Sequence, residues 1–350
     1  MNRTYRPAGN SAPRLCQALL AAGLCVSLSP AFAQDASGAP LSGDIHANLP
    51  GALADDGRFQ RDAINQHLIT QYADQTEDAV ATWASAWGHR GHHDEDGSAA
   101  RLDTKGSGVM VGADMGVGAQ SRLGVALGGG RVSADARDES ASGRSLTAAI
   151  YGGGQYGNVL IQAGGLYARY DVDTHRTVVD LGTLAARLAG SMKGQALQGF
   201  VEAAYEFRWD SGGLAPFLSL AQQQLRTGSV NERGGVAALH VMSDKSDVTY
   251  GTLGLRARKD FGEDGRFGIF GSVGWQHAAG DTQPASRQRF IAGGATIESL
   301  GTPIAENAGV GVAGIRFLAT PTVTVDASWN GQFASAAKDQ SARLALNWVF

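Results

Sequence analysis

From about residue 79 to the carboxyl terminus the chain alternates between apolar side chains and polar or small ones. Leu344, Leu346, Trp348 and Phe350 are interleaved with Arg343, Ala345, Asn347 and Val349. Val323, Val325, Ala327 and Trp329 are interleaved with Thr324, Asp326, Ser328 and Asn330. The same rhythm runs through Val109, Val111, Ala113, Met115 and Val117, against Gly108, Gly112, Asp114 and Gly116. Near residue 200, Leu197, Val201, Ala203, Tyr205, Phe207 and Trp209 share one face, and Gln198, Glu202, Glu206 and Arg208 the other. A period of two means strands with one apolar face, because successive side chains leave a strand on opposite sides.

Twelve such segments are predicted, at about 79–90, 105–117, 122–133, 144–156, 159–171, 194–208, 213–226, 247–260, 266–278, 307–318, 321–334 and 341–350. Each is long enough to cross a bilayer at a tilt, which takes about 9–11 residues. The connections alternate. Those at 91–104, 134–143, 172–193, 227–246 and 279–306 are long; those at 118–121, 157–158, 209–212, 261–265 and 319–320 are short, and 335–340 joins the last pair. An even strand count with short turns on one rim and long loops on the other predicts an all-β, twelve-stranded antiparallel outer-membrane barrel.

The competing architectures explain less. A soluble sandwich needs shorter strands and leaves Glu202, Glu206, Arg208, Arg256 and Asp326 unaccounted for; in a barrel they line a hydrated lumen. Ser145 to Ala168 is 24 residues without a charge, yet its six glycines and the Gly157-Asn158 pair favour a hairpin over a membrane helix. Glycine supplies 49 of 350 residues, and charged residues only 18%. The net charge of −4 gives no electrostatic footprint for nucleic acid.

The first 33 residues read as a secretory signal. Arg3, Arg6 and Arg14 precede the apolar run Ala18 to Leu28, and Ala31-Phe32-Ala33 has the small-x-small cleavage pattern. Cleavage would remove both cysteines, Cys16 and Cys25, and shift the net charge from −4 to −7. Leu24 before Cys25 is not the small residue of a lipoprotein signal. Without cysteine, the mature chain has neither disulfides nor thiol chemistry.

Residues 34–56 read as a short polar linker of 23 residues. A helix is expected over 58–76, within a segment bounded at 57–78, with Asp55 or Asp56 capping its start. Its apolar residues Phe59, Ala63, Ile64, Leu68, Ile69 and Tyr72 form a narrow stripe, and Arg58, Arg61 and Asn65 lie among its polar positions. Such a helix suits polar walls or water as well as a dry core.

Read together, a helix running into Ala81-Thr82-Trp83-Ala84-Ser85-Ala86-Trp87-Gly88, then Gly108-Val109-Met110-Val111-Gly112-Ala113-Asp114, resembles the translocator β-domain of the autotransporters, the type V secretion family. Leu123-Gly124-Val125-Ala126-Leu127-Gly128-Gly129-Gly130, Gly251-Thr252-Leu253-Gly254-Leu255-Arg256 and Leu344-Ala345-Leu346-Asn347-Trp348-Val349-Phe350 extend the likeness over about residues 57 to 350. The resemblance implies a barrel with a helix threaded through its pore. It also implies transport of the amino-terminal segment to the cell surface, and a carboxyl-terminal signal (Leu346, Trp348, Phe350) read by the barrel assembly machinery. Periplasmic chaperones and outer-membrane lipid are the implied partners, around a monomeric barrel with its long loops at the surface of a Gram-negative cell. Because only 34–56 separates signal from helix, the expected cargo is vestigial. Family members that cut themselves do so at an Asn-Asn pair, where this helix has Asn65-Gln66.

No catalytic site is expected. G-x-S-x-G, H-E-x-x-H and Walker motifs are absent from the sequence. Gly309-Val310-Gly311-Val312-Ala313-Gly314 fits G-x-G-x-x-G but continues as a strand, so no nucleotide or other cofactor is implied. Glu202 and Glu206 stand about 13 Å apart along one strand face, too far for a glycosidase pair. His89, His92, His93 and Asp94, placed on the first long loop, form a weak metal candidate beside the simpler reading of a polar loop. Asp114 is expected to face inward and to pair with Arg122, or with Arg58 or Arg61 of the helix. Such pairs either hold the helix as a plug or merely solvate the lumen. The alternatives to a translocator are a surface-loop adhesin or structural barrel, including a remnant without cargo, a porin, and an outer-membrane barrel protease.

Overall fold

Alternation over long stretches leaves each strand one face for lipid and one for the interior, and closing the sheet removes its edges. A computed structural model of the chain describes residues 43–74, 80–97, 99–178, 186–262 and 265–350, with the backbone alone at 72–74. Twelve antiparallel strands follow one another around a barrel: β1 (Val80–His93), β2 (Leu102–Val117), β3 (Ser121–Ala136), β4 (Glu139–Tyr156), β5 (Val159–Val178), β6 (Ala186–Tyr205), β7 (Gly212–Thr227), β8 (Asp244–Phe261), β9 (Phe267–Gly280), β10 (Asn307–Thr320), β11 (Val323–Phe333) and β12 (Ala337–Val349). Each pairs with its neighbours in sequence, and β12 closes on β1 from Ala81 opposite Val349 to His93 opposite Ala337. β6 resumes after Glu206 as Phe207–Trp209.

The alternation sorts the two faces as the sequence predicts. Val109, Val125, Leu127, Ile150, Leu253, Val273 and Leu344 are exposed on the outer wall. Leu346, Trp348 and Phe350 join them, with the last two rings 4.4 Å apart. β12 itself is no free edge, since β11 and β1 occupy its two sides. Inside, close packing needs residues without side chains. A Cβ on Gly112 would lie 2.5 Å from Trp83 Nε1, and Gly108 is covered in the same way by Trp87.

The strands run further than expected on the rim opposite Val80 and Phe350, and this corrects several loops. The 134–143 connection is a two-residue turn, Arg137-Asp138, because β3 and β4 pair as far as Ala136 and Glu139. The 172–193 loop shrinks similarly, with strand as far as Val178 and from Ala186, and 179–185 lie outside the described residues. The last connection is residues 334–336 rather than 335–340. Polar, small residues in these arms carry no apolar face for lipid, so the alternation fades where the strand persists. The 227–246 and 279–306 loops are real but structured. Val230–Asn231, Leu239–Val241, Ala285–Phe290 and Ile297–Leu300 form a separate four-stranded rim sheet.

The pore holds α1, Asp44–Asp74, 31 residues and about 46 Å long at 1.5 Å per residue. It begins 14 residues before the expected 58, so most of the 34–56 linker is helix and neither Asp55 nor Asp56 is a cap. Pro50, Gly51 and Gly57 weigh against helix locally, but the lumen and rim sheet enclose this segment and tertiary packing overrides propensity. The signal segment 1–33 and residues 34–42 fall outside the described residues. Among the described residues no helix is long and apolar enough to cross a membrane. Ser145–Ala168 is the β4–β5 hairpin, turning at Gly157 with φ 62°.

Candidate functional site

A lumen filled by one helix offers each polar side chain a definite partner. The amino terminus of α1 lies at the looped rim and its carboxyl end at the rim of short turns. At this inner end the Thr70 hydroxyl donates to Asp326 Oδ2 (3.1 Å) and accepts from Arg316 Nη2 (2.7 Å). Arg316 Nε also bonds Asp326 Oδ1 at 2.9 Å, so Asp326 stands in a helix contact rather than merely in water.

One layer outward, Asp114 of β2 gathers three groups. Its Oδ1 accepts from Arg122 Nε at 2.6 Å, and its Oδ2 lies 2.5 Å from His67 Nε2 of the helix and accepts from Tyr151 Oη at 3.1 Å. Trp83 Nε1 donates to Tyr151 Oη at 2.6 Å and its ring stacks on His67 at 4.9 Å. The other His67 nitrogen faces Asn347 Oδ1 at 2.7 Å. Asp114 thus meets Arg122, but its helix partner is His67 and neither Arg58 nor Arg61. Arg58 reaches Asp339 (3.1 Å), and Arg61 Nε is 3.5 Å from Asp62 of its own helix.

The remaining candidates divide. Glu202 accepts from Gln162 Nε2 (3.0 Å) and from Arg256, forming a buried wall pair beside the helix. Glu206 and Arg208 bond each other (2.7 Å) with Gln155, near the inner rim and apart from that pair. Asn65 is buried. Tyr72 belongs to the helix, and its side chain is outside the described residues.

The histidine cluster is not a loop. His89, His92 and His93 belong to β1, whose alternation turns His89 and His93 inward and His92 away. His93 Nε2 lies 3.0 Å from Asp55 Oδ2, and its Nδ1 lies 3.2 Å from the Pro303 carbonyl. The His89 ring stacks on Phe59 at 4.2 Å. Asp94 pairs with Arg101 at 2.8 Å. Among the described residues no three His, Cys, Asp or Glu groups stand where they could hold a metal.

The outer third of the helix has one apolar face. Ile45, Leu49, Ala52 and Leu53 pack against Leu102, Val132, Tyr170, Leu225 and Leu239. Its free amide ends are met by the wall and rim. Ile45 N donates to Glu139 Oε2 at 2.6 Å at the first turn of the helix, and burial pushes this carboxyl up to about 8 against the lowering effect of that bond and of Arg176. Gly43 N donates to Gln288 Oε1 (3.1 Å), and Gln288 Nε2 donates back to Gly43 O (2.9 Å). Asn48 Oδ1 accepts from the Thr302 amide (2.7 Å) and hydroxyl (3.0 Å).

Glu232, in the first rim loop, binds His46 at 2.8 Å and Arg176 through both its oxygens, and accepts from the Leu239 amide at 2.9 Å. Burial pushes this carboxyl up, but the hydrogen bonds from His46 and Arg176 and their charges outweigh burial and hold it at about 2. None of His46, His67, Glu232 or Arg316 stands out in the sequence. The narrow apolar stripe of the helix signals polar walls, yet choosing the partners requires its axial register in the barrel.

These features are shared with known proteins. Residues 82–330 match the family model described as the autotransporter beta-domain. Two extracellular serine proteases of Serratia marcescens are 29% identical over 317 residues, 89% of this chain and 30% of theirs. The chain therefore corresponds to less than a third of those relatives. The translocator domain of the autotransporter NalP from Neisseria meningitidis superposes with a TM-score of 0.72 at 17% identity, over 88% of this chain and all of that one. The β-domain of the Bordetella autotransporter BrkA gives 0.55 at 16%, over 78% of this chain and all of that one. A closed twelve-stranded barrel in the outer membrane of a Gram-negative cell, with a helix through its lumen and a family match across most of its strands, makes this chain a member of the autotransporter β-domain family, with an outer-membrane translocator function.

Proposed function

We propose that the barrel carries the segment preceding Gly43 outward through its pore and that α1 then remains as the plug. The observation that carries this reading is the polarity of the helix. Its first residues meet the rim sheet and its last lead back to β1 at Val80 on the inner rim. A chain entering from the periplasm and leaving at the surface would come to rest in this orientation. Packing over the outer third and polar contacts to Asp114 and Asp326 near the inner end would hold it there, and barrel folding would supply the driving force.

The barrel needs no chemistry of its own for this task, and we assign it no enzymatic step. Protease activity belongs to the named relatives, most of whose length lies outside the match. Leu346, Trp348 and Phe350, exposed along and just after β12, are proposed as the segment read by the assembly machinery, helped by periplasmic chaperones. Every barrel strand finds its partners within one chain, which supports a monomer.

The test is an epitope tag placed ahead of Gly43, since positions from Asp44 onward are helical. On intact Gram-negative cells carrying barrel of heat-modifiable gel mobility, antibody and protease should reach the tag. A folded barrel with a protected tag would overturn the proposal.

A further inference from the structure

The outer wall changes character where β2–β7 approach the looped rim. Nearer the inner rim its outward positions are apolar, among them Val109, Leu127, Leu146 and Leu197. Beyond them, on the same lipid-facing side, stand Lys105, Arg131, Arg144, Arg169, Lys193 and Arg226, all exposed. Along β3, the ten-residue step from Ser121 at the inner rim to Arg131 spans about 33 Å, and a tilt of about 40° makes this a rise of about 25 Å. That is the height of the apolar band of an outer-membrane barrel, so the cations lie level with the headgroups of the outer leaflet. Arg169 marks the boundary. Its Nε donates to Tyr167 Oη at 3.2 Å and its guanidinium lies 5.6 Å from that ring, a tyrosine placed where aromatic belts form.

The register crowds these charges. Arg131 of β3 stands directly opposite Arg144 of β4; Arg144 is opposite Asp171 of β5, and Asp171 is opposite Lys193 of β6. Arg169, two residues before Asp171, is the diagonal neighbour of Arg144. Like charges directly opposite on one sheet face are destabilising. The carboxylates among the six cations are Asp171 and Asp173, while Asp103 and Asp135 stand farther out, opposite one another. Among the described residues, the side chains of Arg131, Arg144, Lys193 and Asp171 make no hydrogen bond or ion pair.

We propose that this patch binds the phosphate groups of a lipid in the outer leaflet. Guanidinium and phosphate make short, charge-assisted bonds, and one phosphate between Arg131 and Arg144 relieves their repulsion. The acyl chains of the same molecule run down the apolar wall over Leu127 and Leu146, so headgroup and tails are met together. The site rests on the placement of the barrel in the outer membrane, and not on the passage of any segment through the pore.

The test uses the full chain refolded in detergent, with heat-modifiable mobility as the check on folding. Native mass spectrometry follows lipid retained on the barrel as bisphosphorylated lipid A is titrated in. Binding should saturate, and lipid A stripped of its phosphates should bind roughly tenfold or more weakly. Arg131→Gln combined with Arg144→Gln should weaken half-saturation roughly thirtyfold, the loss of two cations facing phosphate at a membrane surface. Lys259→Gln combined with Arg266→Gln removes the same charge near the inner rim and should leave it unchanged. Equal retention of phosphorylated and stripped lipid overturns the proposal, as does unchanged affinity in the Arg131→Gln, Arg144→Gln protein. Displacement of the lipid by millimolar inorganic phosphate would make this a site for free phosphate, and overturns it too.

Discussion

His67 of the pore helix lies 2.5 Å from Asp114 of the β2 wall, at a depth where neither side chain is more than 3% exposed. The same carboxylate holds Arg122 and Tyr151, so one wall residue joins the helix to three strands.

Replacing Asp114 should therefore loosen the plug. Asp114→Asn removes the charge of the carboxylate shared by Arg122, His67 and Tyr151, and breaking buried pairs of this kind costs about 3–5 kcal/mol. The barrel should still fold, judged by gel mobility, because its strand ladder does not involve this side chain. Single-channel recordings in planar bilayers should show larger or more frequent openings; unchanged conductance would remove Asp114 as the lock.

Gly112→Ala tests the packing of the wall. The new methyl would meet Trp83, and that indole cannot swing away without giving up its bond to Tyr151 Oη. Destabilisation of about 1–3 kcal/mol is expected, the usual cost of overpacking. A fall in the urea midpoint, followed by tryptophan fluorescence, measures it. Tolerance of Gly112→Ala without a shift would mean that the Trp83 ring is free to move.

The rim should loosen in acid. Glu232 has its folded pKa depressed from 4.5 to about 2, so its stabilising contribution is complete above the unfolded value and is lost as pH falls from about 4.5 through 2. Protection of the Leu239 amide against hydrogen exchange should decline across that window. In Glu232→Gln the decline should largely vanish and protection should be lower at neutral pH. A profile identical to that of the unaltered protein would assign the acid sensitivity elsewhere.

Nickel or zinc should find no high-affinity site at the histidine run. His93 is occupied by Asp55 and the Pro303 carbonyl, and His89 stacks beneath Phe59. Titration calorimetry with nickel should show no saturable micromolar binding. Strong binding abolished by His93→Ala would show that β1 opens at this end.

Strand number, order and face were legible in the sequence because a barrel in lipid enforces alternation on every strand. Val109 to Val117 and Leu344 to Phe350 could point outward in only one register. The pairing of Asp114 with Arg122 was within reach for the same reason, since Gly116 stands opposite Arg122 in the β2–β3 ladder and Asp114 shares its face. Where lipid no longer imposes a pattern, tertiary contacts decide the structure. The arms beyond residues 133 and 171, the rim sheet, and the helical state of 44–57 despite Pro50 all depend on packing against distant segments. The partners of the helix belong to that second group. Which of His67, Arg58 and Arg61 meets Asp114 depends on how far α1 sits along the pore axis and how it is rotated. Both are fixed only when Ile45, Leu49 and Leu53 settle into the apolar outer third and the rim closes over Gly43.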